Sequence, residues 1–159
     1  MFYIFNQNNT GGHFDVDENL CHRLYIEADT KSEAISKAEK LGCYWDGVLK
    51  GIDCPCCGDR WDENCDEIDI KKYQAEVWVN GSDIDKWRKR YGKYNIIESP
   101  SIQKFEFTNE KICSGKISFK NIEECVQYVV DEYNATTPDA RIFYKNGDIK
   151  QIFANKREL

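Results

Sequence analysis

Apolar and polar positions alternate over short stretches of this chain and recur at helical spacing in others. Residues 2–5 (FYIF) are an aromatic and β-branched run that predicts a strand. A turn rich in amides and glycine follows, Asn6-Gln7-Asn8-Asn9-Thr10-Gly11-Gly12, and residues 13–17 alternate as the returning arm of a hairpin. Residues 20–28 predict the next strand, with Leu24, Ile26 and Ala28 on one face and Arg23, Tyr25 and Glu27 on the other. The same alternation sends Cys21 and His22 to opposite sides. Thr30-Lys31-Ser32-Glu33 is a capping box; Ala34, Ile35, Ala38 and Leu41 form the buried stripe of the helix it opens, and Gly42 stops it.

An acidic, turn-like run over residues 62–67 marks a seam. Residues 73–79 then predict a strand with Ala75, Val77 and Val79 on one face. Ser82 caps a short helix, with Asp85 as its box partner and Gly92 as its end. On that helix Ile84, Trp87 and Tyr91 share a face, while Lys86, Arg88, Lys89, Arg90 and Lys93 crowd the others. Residues 102–107 and 116–119 predict strands. Asn121-Ile122-Glu123-Glu124 starts a helix whose stripe is Ile122, Cys125, Val126, Val129, Val130 and Tyr133. Residues 141–145 and 148–153 flank Asn146-Gly147, a strong hairpin turn. The pattern predicts an α+β fold of antiparallel strands and hairpins with two to three short helices. It divides into an acidic, cysteine-rich module (residues 1–72) and an α+β module (residues 73–159), as two modules or one continuous domain.

Composition sharpens this only in places. At 159 residues, 41% hydrophobic and 31% charged, the chain can bury a real core. No apolar run reaches the length of a membrane span, about 18 residues or more. The first residues show neither a basic region nor an apolar stretch of signal-peptide length, so the expected location is the cytosol. In a reducing compartment the eight cysteines point to metal or buried thiols rather than disulfides. Residues 1–72 carry 15 acids and 8 bases, and the remainder 13 acids and 14 bases. Such an acidic first half disfavours general nucleic-acid binding, which needs positive potential, and suits a basic protein surface.

The candidate chemistry centres on Asp53-Cys54-Pro55-Cys56-Cys57-Gly58-Asp59-Arg60-Trp61. Cys54 and Cys57 form a C-P-x-C-G knuckle that sets two thiolates at a spacing tetrahedral zinc accepts. No second C-x-x-C follows, so the other two ligands must come from Cys43, Cys65, Cys56, Cys21 or His22. Cys43 and Cys65 flank the knuckle and are the preferred pair, giving a closed structural zinc site. A redox reading lacks the helix that lowers the first thiol's pKa in thiol oxidoreductases. Unligated thiols in a loop are the third reading. Catalytic signals are thin: no H-E-x-x-H, no paired carboxylates, no nucleophile beside either histidine, and no cysteine at position 59 to complete a deaminase P-C-x-x-C.

Three stretches, FNQNNTGG (residues 5–12), LCHRLYIEA (residues 20–28) and DCPCCGDRW (residues 53–61), resemble a family of short uncharacterised proteins carried by tailed bacteriophages. The likeness covers about the first 62 residues. It implies expression in a bacterial host cytoplasm and favours binding over catalysis. The expected function is therefore a non-catalytic phage accessory protein that binds a host component, in host takeover or counter-defence. One alternative is a binder that sequesters a signalling nucleotide through Asn6, Gln7, Asn8, Asn9, Gly11 and Gly12 with Arg23, Trp45, Arg60 or Trp61. Another is a zinc-containing, nucleic-acid-associated protein using the basic segment 86–94. Trp61 is expected to seal the core, and Arg60 to stay exposed for recognition.

Overall fold

Strand β1 (Phe2–Asn6) forms where the first apolar run predicts it, but its partners lie elsewhere in the sequence. In the computed structural model, which describes residues 1–133 and 139–155, β1 pairs antiparallel with β2 (Arg23–Glu27) on one side and β3 (Asp66–Ile68) on the other. Residues 13–17 form no returning strand. The reason is Gln7, whose side-chain amide replaces a ladder: Nε2 donates to the carbonyls of Asp15 and Cys21, and Oε1 accepts the Asp15 N–H. Thr10–Gly12 closes as one 3₁₀ turn, with both glycines at positive φ.

Helix α1 (Lys31–Leu41) keeps both of its expected ends. Thr30 Oγ1 accepts the Glu33 N–H at 3.2 Å, and the Glu33 carboxylate reaches back to the Asp29 N–H at 3.1 Å. Gly42, at φ +116°, is the left-handed stop, and Cys43 N–H returns to the Ala38 carbonyl. Ala34 and Ala38 are buried against Tyr3, Phe5, Leu24, Ile26, Cys43 and Trp61, with Ile35 and Leu41 at the margin.

The later segments are β4 (Ala75–Asn80), α2 (Ile84–Tyr91), β5 (Asn95–Lys104), β6 (Lys111–Ser118), α3 (Ile122–Glu132), β7 (Asp139–Phe143) and β8 (Ile149–Phe153). The described strands make two sheets, β3-β1-β2-β7-β8 and β4-β6-β5. The α+β class is as expected, but β2 and β7 pair in parallel. Leu24, Tyr25 and Ile26 of β2 are each 0% exposed, so apolar cover lies on both faces of this strand. The Asn146-Gly147 turn closes the β7–β8 hairpin as predicted, with Gly147 at φ +94°. Cys125 sits in the core as expected, and burial pushes its thiol up to about 12.

The chain divides into unit 1, Met1–Asp69 with Glu123–Leu159, and unit 2, Ile70–Ile122. The first division, after Asp69, follows the acidic run of residues 62–67. Residues from 123 onward, however, join the first unit rather than the second, because β7 must pair with β2.

In unit 2, Ala75, Val77 and Val79 are buried and their alternate neighbours exposed, as the period of β4 predicts. Asp83, not Ser82, is the N-cap of α2, accepting the Lys86 N–H at 2.9 Å. Trp87 is 0% exposed and donates its indole N–H to the Val77 carbonyl at 2.7 Å. Strand β5 begins seven residues before the predicted start at Ile102. It is an edge strand, which tolerates Pro100, and its register slips on either side of Glu98. Among the described residues no helix is long and apolar enough to cross a membrane.

Candidate functional site

The knuckle exists as a turn. Cys57 and Gly58 N–H groups both donate to the Cys54 carbonyl, at 3.1 and 3.0 Å, and Gly58 takes φ +88°. N–H groups of Cys57 and Cys56, then the Cys57 thiol, hydrogen-bond the Cys54 sulfur and hold its thiol below the usual cysteine range. Cys56 and Cys57 are exposed and Cys54 is half-buried.

The expected four-thiolate set of Cys43, Cys54, Cys57 and Cys65 is not brought together. Cys43 lies in the core beside Trp61, where burial raises its thiol to about 12, and Cys65 packs against the same cluster, raised for the same reason. Among the described residues no group of three or more His, Cys, Asp or Glu side chains stands where it could hold a metal ion.

What the structure builds behind the knuckle is a buried clamp around Arg60. Contrary to the sequence expectation, Arg60 is only 4% exposed. Its Nη1 donates to Gln7 Oε1 at 3.0 Å and to the His13 carbonyl at 2.8 Å, and Nη2 donates to the Thr10 carbonyl at 3.1 Å. Nη2 also meets His13 Nε2 at 3.3 Å. Nε lies 3.1 Å from Asp15 Oδ2 and 3.9 Å from the buried Asp53 Oδ1. Asp53 accepts the Tyr44 O–H at 2.6 Å and the Arg60 N–H at 2.7 Å. Burial, then this hydrogen bond to Asp53, raises the Tyr44 phenol. Thr10 Oγ1 accepts the Cys54 N–H at 2.9 Å, and Asn8 Nδ2 donates to the Cys57 carbonyl at 2.7 Å. The amide–glycine loop therefore braces the metal-type turn from within.

The proposed ligand residues scatter in consequence. Gln7, Arg60 and Trp61 are buried, Asn8 is bound to the knuckle, and Asn6, Asn9, Gly11 and Gly12 lie exposed. Trp45 donates to Glu39 Oε1 at 2.6 Å and lies against Phe5; Arg23 Nη1 donates to the Tyr25 hydroxyl at 3.3 Å. Sequence reasoning missed Thr10, Asp15, Tyr44 and Asp53. Only Asp53 had a signal, as an acid abutting the knuckle with an arginine seven residues on.

A separate cavity of about 240 Å³ in unit 1 is lined by Ile26, Leu41, Phe143 and Ile149, with Lys37 and Lys40 beside them. Lys37 is already held by Glu33 and the Glu27 carbonyl.

Unit 2 has a different surface. Trp78 (51%), Ile97 (41%), Ile102 (43%), Phe105 (47%) and Phe107 (100%) stand exposed in this unit, as do Lys86, Arg88, Lys89 and Arg90 of α2. Residues 70–122 carry 11 bases and 6 acids, a balance of +5; the rest of the chain carries 11 bases and 22 acids, a balance of −11.

No curated protein and no solved structure matches this chain. The model of a domain of unknown function, DUF7296, matches residues 1–158, and the chain belongs to that family.

Proposed function

We propose that this is a non-catalytic binding protein that engages an acidic surface of a host protein through unit 2. The observation that carries the reading is the coincidence of large exposed apolar side chains with a net charge of +5 in residues 70–122. Large exposed apolar side chains on a unit of one charge sign are the raw material of a partner surface. An acidic partner gains from the bases of α2, while the −11 balance elsewhere repels polyanions such as nucleic acid. The resemblance to tailed-phage proteins supplies the setting, a bacterial cytoplasm, and takeover or counter-defence as the purpose. The buried state of Arg60 and Trp61 withdraws one arginine and one aromatic of the four such groups on which a nucleotide-sequestering reading relies.

A photo-crosslinking residue at Phe107, compared with one at the exposed Val16 of unit 1, tests this in bacterial cells. The expected result is one protein adduct specific to position 107 that is lost when Lys86, Arg88 and Lys89 become Glu. Equal labelling at both positions, or adducts to nucleic acid instead, defeats the reading.

A further inference from the structure

The knuckle sets two cysteines on one tight turn, Cys57 exposed and Cys54 half-buried. Zinc held by thiolates takes four ligands in a tetrahedron, with Zn–S near 2.3 Å. Cys54 and Cys57 supply two from one tight turn, closed by the Cys57 and Gly58 N–H groups on the Cys54 carbonyl. The turn is rigid before any ion arrives: Thr10, Asn8 and the Arg60–Asp53 pair fasten it on its inner side. Among the described residues no third His, Cys, Asp or Glu side chain stands with this pair as a metal-holding group, and Cys43 and Cys65 are engaged with the core cluster.

We propose that a second copy of this chain completes the site, Cys54 and Cys57 of each copy holding one Zn(II) on a two-fold axis. A two-fold contact presents the same patch twice, so a two-thiolate knuckle becomes a four-thiolate site with no further residue required. The surroundings fit. Leu49 is 88% exposed and Ile52 is 61% exposed in the turn that leads into the knuckle. That turn is tied to the knuckle by the Val48 N–H on Asp59 Oδ1 at 2.8 Å. Two exposed apolar side chains per copy thus stand in the segment that leads into the knuckle, available for cover when the copies meet. Unit 1 is acidic, and its self-repulsion makes added salt favour the metal-joined pair. This site is independent of the partner surface proposed on unit 2.

The test uses the full chain, reduced with a phosphine, stripped by chelator and titrated with zinc chloride. Sedimentation velocity and metal analysis should show a doubled mass at about one zinc per two chains. Cobalt in place of zinc should give the intense charge-transfer and visible bands of a tetrahedral four-thiolate site. Cys54→Ser and Cys57→Ser should stay monomeric, while Cys56→Ser and Cys65→Ser pair normally. One zinc per chain with unchanged mass, no binding by the unaltered chain, or loss of binding in Cys65→Ser overturns the proposal.

Discussion

Arg60 and Trp61 are neighbours in sequence and both buried, yet for different reasons. Trp61 fills the core beside Phe5, Leu24 and Ala38, and truncating it to Ala should cost about 3–5 kcal/mol in a denaturant titration. Arg60 fastens residues 7–15 to residues 53–60, and Arg60→Ala would strand the buried Asp53 carboxylate beside empty space. Breaking a buried pair on one side costs about 3–5 kcal/mol, so the same titration should show a loss comparable to that of Trp61→Ala. Retained wild-type stability in Arg60→Ala would mean the clamp contributes nothing. Gly47 belongs to the same construction. A Cβ there would come within 1.9 Å of Asp53 Oδ2, and Asp53 is held by two donors and cannot swing away. Gly47→Ala should therefore cost about 1–3 kcal/mol, the range for forcing atoms into filled space. The fate of Trp61 was legible because a large aromatic in a folded chain is usually buried. That of Arg60 was not, because its partners Gln7, Thr10 and Asp15 lie some 45 or more positions away and follow no periodicity.

Elements with strong local signals were legible at both ends. The Thr30 cap and Gly42 stop of α1, the alternation of β4 and the Asn146-Gly147 turn all rest on contacts within a few residues. Strand β5 was not, since an exposed edge strand with slipped register shows no alternation to read. Packing between elements depends on pairs that only the fold supplies. Gly115 of β6 faces Trp87 of α2, and a Cβ on it would stand 2.7 Å from the indole Cζ2 and 2.9 Å from the Glu98 carbonyl oxygen. Gly115→Ala should lower the melting temperature and loosen Trp87, visible as a shift in indole fluorescence. In unit 1, Tyr144 O–H donates to Glu123 at 2.8 Å, joining the start of α3 to the β7–β8 hairpin. That bond, followed by the contact with Lys150, holds the Glu123 carboxyl below its ordinary range. A carboxylate lowered in the folded state stabilises above its unfolded pKa, near 4.3, and loses that contribution as pH falls through the folded value. Tyr144→Phe keeps the ring against Phe2 but removes the donor, so it should be less stable than the parent at neutral pH. The gap should close on acidification below about pH 4, and a gap that persists unchanged would assign the loss to packing instead.

At the scale of the whole chain, the sequence suggested a cysteine-rich module ending near residue 72, and the parallel pairing of β2 with β7 is what revises it. Tyr25 stands opposite Ile142 and Ile26 opposite Phe143, partners more than a hundred residues apart that no local pattern announces. Without β7, strand β2 becomes an edge with its N–H and C=O groups unpaired on one side, and Leu24, Tyr25 and Ile26 lose part of the cover that leaves each 0% exposed. Residues 1–72 expressed alone should therefore fail to fold cooperatively, judged by the absence of a sigmoidal thermal transition and of dispersed amide resonances. Residues 1–69 joined through a flexible glycine–serine linker to residues 123–159 retain all five strands β3-β1-β2-β7-β8, with α1 and α3. That excised unit should melt in a single transition, because the pairing that completes its sheet is present. If the 1–72 fragment instead folds and the joined unit does not, β7 and β8 are accessories to the sheet rather than part of what holds it together.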